Sequence, residues 1–318
     1  MMIERPSRHS GVLVSGRPVT YLLMQSRSDP EDWRRMIGWS AEAQAAGLGI
    51  YPQVSSRGIG ALTSLQGYHF FLMRRAYHEV STLPLSERAA ALRDPQRRAA
   101  VLSQPDDPGV MALDPKLADF IALLRQNMAN VYPMTEETLD YEPGPERKAG
   151  GLAQAAGISL EELIYDHYSA ADGRKICASF MLNYAEGNLD ATYEMLRQPF
   201  VAAALGDGGA HVRMVCDASW PTFQLAFWAR NRKRGPILPL PHVVKKLTGG
   251  NAALYGLSDR GVIAPGLRAD INVIDHDRLR LHLPEMLFDL PSGGGRIHQS
   301  SSGYLATMVN GVLPVVMT

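Results

Sequence analysis

The chain has 318 residues, of which 46% are hydrophobic, so it can bury a sizeable core as one large domain or two ordinary ones. Lys plus Arg and Asp plus Glu each number 32, and this zero net charge argues against nucleic acid or an anionic membrane as the main partner. No apolar run reaches membrane-spanning length, and two cysteines alone favour a reduced, cytoplasmic setting over a disulfide framework.

The beginning of the chain predicts a parallel βαβ unit. Residues 18–25 and 49–55 are apolar runs of strand length, and residues 30–46 between them carry Trp33 and Ile37 at helical spacing. Strand, helix and strand at this spacing are typical of a parallel sheet. Because such strands are usually covered on both faces, we expect both to be buried.

The middle of the chain is predicted to be helical. No strand is predicted between residues 58 and 134, whereas residues 86–102 and 118–128 have the composition of helices, so this range is interpreted as a helical insertion. Ser159, with Glu162 three residues later, predicts the start of a helix that reaches about Ala170.

The last part of the chain contains the remaining strands. Residues 176–184 and 200–206 are predicted strands, and residues 240–254 are a predicted helix. After Gly256 only strands and turns are predicted, which places a domain boundary near that residue. The clearest strands there are residues 262–263, 270–274 and 305–309, with a turn at residues 291–295.

The sharpest candidate for chemistry is Asp207. It follows an apolar run and is flanked by glycines in the segment Leu205-Gly-Asp-Gly-Gly-Ala-His211. Enzymes built on parallel strands place catalytic groups at the carboxyl ends of those strands. An aspartate there can bind a divalent metal or take a proton from a metal-bound water. The alternative is an Asp-Gly turn that only joins a strand to a loop.

The histidines do not form a recognisable zinc motif. The chain has nine, with neither a His-x-His pair nor a His-Glu-x-x-His helix. His211 is interpreted as either a ligand or a hydrogen-bonding residue. Catalytic zinc needs about three protein ligands, and Asp207 is the one that the sequence nominates.

Other reactive groups receive structural interpretations. Cys177 and Cys216 lack a Cys-x-x-Cys partner and are interpreted as small buried hydrophobes. The basic segment at residues 230–234 is interpreted as a solvated loop rather than a nucleic-acid patch. The motifs of a serine nucleophile and of a dinucleotide-binding loop are both absent.

Several segments together resemble the N-acyl-D-amino-acid deacylase (D-aminoacylase) family of the amidohydrolase superfamily. The resemblance covers nearly the whole chain and corresponds to roughly the C-terminal half or more of such enzymes. It rests on Ser15-Gly-Arg-Pro-Val-Thr20, Leu182-Asn-Tyr-Ala-Glu-Gly-Asn-Leu-Asp190, Leu205–His211, Lys246-Leu-Thr248 with Ala253-Leu-Tyr-Gly-Leu-Ser-Asp-Arg-Gly261, and Gly303-Tyr-Leu-Ala-Thr-Met-Val-Asn-Gly311.

The resemblance implies an α/β fold with two parts. Residues 1–255 would form the C-terminal strands of a partial (β/α)8 barrel, interrupted by a helical insertion at about residues 58–134. Residues 256–318 would form the C-terminal part of a small β-sandwich domain. About four barrel strands are expected, against the eight of a closed barrel. They are residues 19–25, 49–55, 176–184 and 200–206.

The resemblance also implies a reaction, the zinc-dependent hydrolysis of an N-acyl-D-amino acid to a carboxylate and a free D-amino acid. Asp207 matches the aspartate that acts as base and metal ligand, and His211 and Tyr184 are expected to contact the substrate. The family's other Zn²⁺ ligands are a His-x-His pair, a cysteine and middle-strand histidines, and the early ones would precede Met1. Gln25 stands where one middle-strand histidine can occur.

Two consequences follow as expectations. The chain is expected to be a fragment that is inactive alone, because it lacks most metal ligands. It is also expected to self-associate or to pair with a missing N-terminal piece, because half a barrel has open strand edges. Two alternatives stay open: a hydrolase of cyclic amides in the same superfamily, and a non-catalytic remnant of the fold.

Overall fold

The computed structural model describes residues 16–136, 139–206 and 208–316, with side chains described as far as residue 313. Asp207, the nominated catalytic residue, therefore lies outside the described residues. Within the described ranges, no helix combines the length and the apolar character that a membrane crossing requires.

The predicted βαβ unit is confirmed. Strand β1 (Val19–Leu23), helix α1 (Asp32–Ala45) and strand β2 (Ile50–Ser55) follow one another, and β1 pairs with β2 in parallel from Val19↔Ile50 to Leu23↔Val54. Strand β6 (Ala202–Ala204) adds in parallel on the other side of β2, giving the order β1-β2-β6. The expected burial holds for β2 but not for β1, whose position at the sheet edge leaves Val19 and Leu22 exposed.

A second sheet occupies ranges that were predicted differently. Strands β3 (Ile59–Ser64) and β4 (Tyr132–Met134) lie where no strand was predicted, and both pair antiparallel with β5 (Ile176–Leu182). The prediction that residues 176–184 belong to the parallel sheet is therefore wrong. Gly60 lies at a register shift in β3, and a side chain there would start 1.6 Å from the carbonyl oxygen of Ser179. This close approach of two backbones requires glycine.

Helices fill the chain between β3 and β5. They are α2 (Arg75–His78), α3 (Leu85–Arg93), α4 (Pro95–Ser103), α5 (Pro108–Leu113), α6 (Pro115–Gln126), α7 (Ala149–Ala156) and α8 (Leu160–Ser169). The single helix predicted over residues 86–102 is two helices, because Asp94 caps α4 and Pro95 starts it. The cap at Ser159 is confirmed, with reciprocal hydrogen bonds between Ser159 and Glu162.

Three further helical segments surround the parallel sheet. Helix α9 spans Asp190–Leu196, and α10 (Trp220–Phe223) continues as a π-helix over Gln224–Asn231. The predicted helix at residues 240–254 is confirmed as one continuous run. It consists of α11 (Leu240–Lys245), a π-helical stretch (Lys246–Gly250) and α12 (Asn251–Leu254).

The C-terminal region contains short strands and turns, as predicted, and its strands pair antiparallel. Its strands are β7 (Ile271–Ile274), β8 (Arg280–Leu281), β9 (Glu285–Leu290), β10 (Gly294–His298), β11 (Ser301–Ser302), β12 (Tyr304–Val309) and β13 (Val312–Val316). They form the pairs β9–β10 and β8–β11 and the sheet β13-β12-β7. The turn at residues 291–295 is confirmed, but residues 262–263 form no strand, because they pair with no other strand and stay exposed.

The described strands do not close into a barrel. Three parallel strands form one sheet, and β1 and β6 stand at its edges in the described part of the chain. Beside β6 lies a cleft of about 1060 Å³, walled by apolar residues of the last helical run and of the segment before β7, such as Val244, Leu247 and Val262. The architecture is thus a mixed α/β fold with several small sheets.

The basic segment at residues 230–234 is only in part the solvated segment that was expected: Asn231, Lys233 and Arg234 are exposed, but Arg232 is buried. The side chain of Arg232 is fully buried, and its Nε and Nη2 donate to Glu142 Oε2 and Oε1 at 3.0 and 2.8 Å. Arg232 also donates to Asp190. A run of basic residues in the sequence favours a solvated loop. Folding brings the carboxylates of Glu142 and Asp190 to Arg232, and these partners allow its side chain to be buried.

We expect Arg232→Met to lower the free energy of unfolding by about 3–5 kcal/mol, because it leaves the buried carboxylate of Glu142 without its cation. Urea denaturation followed by circular dichroism measures this. The control is Arg34→Met, which removes an exposed ion pair with Glu31 and is expected to change stability by less than about 1 kcal/mol. Equal losses of unfolding free energy in the two variants would show that the buried ion pair of Arg232 contributes no more to stability than the exposed pair of Arg34.

We expect the purified chain to self-associate, because β1 and β6 are the edges of the parallel sheet among the described strands and the neighbouring cleft exposes apolar side chains. Size-exclusion chromatography with light scattering measures the mass. A monodisperse monomer that melts cooperatively would show that these edges are stable without a partner.

Candidate active site

Polar residues follow two strands of the parallel sheet at their carboxyl ends. Gln25 lies just beyond β1, and Ser56 and Arg57 follow β2 directly. All three are buried. Since sites of parallel α/β proteins form at the carboxyl ends of their strands, this edge, called the rim below, is the candidate active site.

Asn183 connects the rim to the antiparallel sheet. Its Oδ1 accepts from the backbone N–H of Gln25 at 2.8 Å, and the backbone N–H of Asn183 donates to the carbonyl of Gln25 at 2.9 Å. The Nδ2 donates to the carbonyl of Ser55 at 3.5 Å. Asn183 has a φ of 57°, a left-handed conformation that asparagine tolerates better than most residues. One side chain therefore holds the ends of β1 and β2 together.

Two polar atoms at the rim have no hydrogen-bond partner in the described structure. They are Nε2 of Gln25 and Oγ of Ser56, and both residues are essentially fully buried. The other end of the Gln25 amide is engaged, since its Oε1 accepts from the N–H of Ala185 at 3.2 Å. Buried polar atoms are nearly always hydrogen-bonded in proteins. These two atoms are therefore available to form hydrogen bonds with a bound molecule or with water.

Arg57 is the charged residue of the rim. Its Nη2 donates to the carbonyl of Cys216, and its Nη1 donates to Gln299 Oε1 at 3.4 Å. The guanidinium lies 4.5 Å from the ring centroid of Tyr141, with the rings of Trp220 and Phe223 near 6 Å. Burial raises the pKa of the Tyr141 hydroxyl, so this group stays protonated.

The loop after β6 is held from two sides. The N–H of Leu62 donates to Met214 O at 2.7 Å, and the N–H of Ile297 donates to Val212 O at 2.6 Å. The loop is thus fixed to β3 and β10 at Met214 and Val212, which follow Asp207 in the sequence. A cavity of about 200 Å³ lies beside it, lined by Gly208 and, among others, Cys216, Ser219, Arg296 and Gln299. This space is called the loop cavity below.

The two predicted substrate contacts occupy different environments. His211 is exposed on the loop with a φ of 52°. Tyr184 is buried, and its hydroxyl donates to Pro143 O at 2.6 Å among the rings of Tyr132 and Phe180. The roles of His211, Tyr184 and Asp207 stay predictions.

The described residues do not fit the zinc site that the resemblance implies. Among them, no three His, Cys, Asp or Glu side chains lie close enough to share a metal ion. Cys216 is a buried free thiol whose pKa is raised by burial, so it stays protonated, as expected of a small hydrophobe. Gln25 offers an amide, which is a poor zinc ligand.

Motif reasoning missed several residues of this site. They are Arg57, Tyr141, Asn183, Ser219 and Gln299. Two signals were available: the polar run Ser55-Ser-Arg57 directly after an apolar strand, and the family segment Leu182–Asp190, which contains Asn183. The other three come from segments far apart in the chain, and only the fold brings them to the rim.

Comparisons with solved structures find deacylases at low similarity. An N-acyl-D-glutamate deacylase from Bordetella bronchiseptica, complexed with zinc and a phosphonate inhibitor, shares 15% identity at a TM-score of 0.43. The match covers 96% of this chain and 48% of that one. A D-aminoacylase shares 17% identity at a TM-score of 0.38, over 95% of this chain and 53% of the other. The chain spans about half the length of these proteins.

No curated protein is found to match this chain. In contrast, the model of the amidohydrolase family matches residues 15–313, which is nearly the whole sequence. The match includes β1, β2 and β6, the rim and the loop after β6. The chain therefore belongs to the amidohydrolase family.

Proposed function

We propose that the protein acts in the hydrolysis of the linear amide bond of N-acyl-D-amino acids, a small-molecule substrate class, at the rim of the parallel sheet. The observation that supports this most is the position of the family segment Leu205–His211, which leaves β6 at the carboxyl end of the sheet. Residues on both sides of Asp207 border open space, with Gly206 at the cleft and Gly208 at the loop cavity.

In this proposal Asp207 is the general base. It takes a proton from the attacking water and returns it to the amine as the carbon–nitrogen bond breaks. His211, which is exposed on the same loop, is available to contact the substrate. Tyr184 could do so only by giving up its hydrogen bond to Pro143 O.

Zn²⁺ is proposed as the metal of the reaction, with its ligands supplied from outside the described residues. The chain is also proposed to divide near Gly256, with residues 1–255 as the hydrolytic part and residues 256–318 as a β-domain. The insertion at about residues 58–134 contains α2 to α6 between β3 and β4.

We expect the purified chain to bind N-acetyl-D-methionine at least about tenfold more tightly than its L-enantiomer, because a site built for one configuration leaves polar groups unpaired with the other. Isothermal titration calorimetry measures both constants. Asp207→Asn is the matched control, since it removes the base and keeps the shape. Equal binding of the two enantiomers would argue for a remnant without the site, and preferential binding of a hydantoin would favour cyclic amides.

We expect the same protein, supplied with Zn²⁺, to release D-methionine no faster than the uncatalysed reaction. One carboxylate cannot hold a zinc ion and lower the pKa of its water to about 7. Amine release detected by derivatisation measures the rate. Turnover that disappears in Asp207→Asn would show that the chain assembles a complete site, and it would contradict this expectation while supporting the substrate class.

A further inference from the structure

His69 is a buried titratable residue that the proposed reaction does not use. It lies in the segment of residues 65–74 between β3 and α2, called the connector below, and it is 0% exposed. Its Nδ1 accepts from the backbone N–H of Phe71 at 3.2 Å. Because Nδ1 is an acceptor, the ring hydrogen is on Nε2, which has no hydrogen-bond partner in the described structure. The contacts of His69 therefore require the neutral form of its ring.

Aromatic rings and two guanidiniums surround His69. The ring of Tyr77 in α2 meets it edge-on, with 4.3 Å between centroids, and the ring of Tyr168 in α8 lies 6.0 Å away. The charged groups near it are the guanidiniums of Arg88 in α3 and Arg125 in α6. Within the described ranges, no Asp or Glu forms an ion pair with His69. A proton on its ring would therefore be buried beside two cations, with no carboxylate to compensate it.

Protonation would also break the hydrogen bond that closes the connector. A protonated imidazole carries a hydrogen on both nitrogens, so Nδ1 could no longer accept from Phe71, and two donors would face each other. Asp106 is bound through both oxygens to Arg125, so it does not compensate the new charge. Burial, with smaller contributions from Arg88 and Arg125, lowers the pKa of His69 from 6.5 to about 3. The ring therefore takes up a proton only when the connector opens.

The connector is in direct contact with the loop after β6. The guanidinium of Arg213 in that loop lies 5.5 Å from the ring centroid of Tyr68, the residue before His69. A Cβ atom at Gly67 would lie 3.0 Å from the carbonyl oxygen of Arg213, so the two backbones approach closely there. Met214 packs against the apolar cluster of the insertion. Opening of the connector would therefore remove contacts that hold the loop.

We propose that His69 is a pH-sensitive latch that holds the loop after β6. Its neutral ring keeps the connector closed against residues 213–214 of that loop, and its protonation in weakly acidic solution releases the connector and the loop together. The inference rests on the connector and its contacts, so it does not depend on the proposed reaction or on its substrate.

The direction of the pH dependence follows from which form binds the proton. Above pH 6.5 the ring is neutral in both forms, so the latch is at its most stable. Below that pH the open form binds one proton that the closed form excludes, and the open fraction rises, approaching about tenfold for each pH unit down to about pH 3. His167 in α8 differs. Burial lowers its pKa too, but its Nε2 donates to Ile176 O at 2.8 Å, and a proton can enter at Nδ1 without breaking that bond.

Hydrogen–deuterium exchange followed by mass spectrometry between about pH 7.5 and 5.5 tests the latch, because carboxylates, with ordinary pKa values near 4, stay ionised over this range. Rates are corrected for the intrinsic effect of pH on exchange. In the wild-type protein, peptides spanning residues 61–74 and 208–216 are expected to lose protection about tenfold over this range. The first contains the N–H of Leu62, which is bonded to Met214 O, so the two peptides are expected to change together. Peptides of β1 and β2 are expected to keep their protection.

His69→Asn is the test variant. The oxygen of an asparagine side chain can still accept from the N–H two residues further on, as asparagine does in turns, but the amide takes up no proton. We expect lower protection at every pH, because the smaller side chain leaves a cavity, and no change over the pH range. His78→Asn, at an exposed histidine of α2, is the matched control and is expected to keep the tenfold change. His167→Gln is expected to keep it as well.

The outcomes decide between the latch and a general effect of acid. Protection that is constant over the pH range in the wild type, or that falls equally in His69→Asn, would show that His69 is not the switch. Loss that extends equally to β1 and β2 would show that acid unfolds the whole chain, and loss confined to residues 61–74 would show that the connector does not hold the loop. If His69→Asn does not fold, His69→Phe keeps a ring of similar size that cannot titrate, and it must likewise abolish the pH dependence.

Discussion

The hydrogen bonds of Asn183 are the interaction on which the arrangement of the rim depends. Asn183 follows β5, a strand of the antiparallel sheet, yet its amide pairs with the backbone of Gln25 after β1 and reaches the carbonyl of Ser55 in β2. Without it, the ends of two parallel strands would present backbone groups that no neighbour satisfies. These bonds are buried, where an unpaired group is most unfavourable. The antiparallel sheet thereby acts as the support of the parallel one.

The loop that follows β6 is also held in place by hydrogen bonds from other sheets. A loop that carries the proposed base must be held in place, and two hydrogen bonds from different sheets do this, one from Leu62 and one from Ile297. Arg57 adds a third attachment through the carbonyl of Cys216. The C-terminal strands thus contribute to the site as well as to the fold, because β10 contacts this loop and Gln299, just after β10, bridges Arg57 and Ser219.

Local signals predicted the local structure well. The βαβ unit follows from periodicity, the start of α8 from a capping box, and the turn between β9 and β10 from a run of turn residues. The sequence does not predict which strands pair with each other, since an apolar run such as residues 176–182 has the same pattern in a parallel and in an antiparallel sheet. β3 was missed because Gly60 weakens the strand pattern, although the close approach to Ser179 is what requires that glycine.

Charge was the least predictable property of the site. Arg57 and Arg232 look alike in the sequence, and neither has an acidic residue close by along the chain. Folding gives Arg232 the carboxylates of Glu142 and Asp190, so its charge stabilises the structure. It gives Arg57 carbonyls and aromatic rings instead. Because the two arginines are equally buried, this difference comes only from which segments the fold brings beside each guanidinium, and no property of the local sequence reveals it.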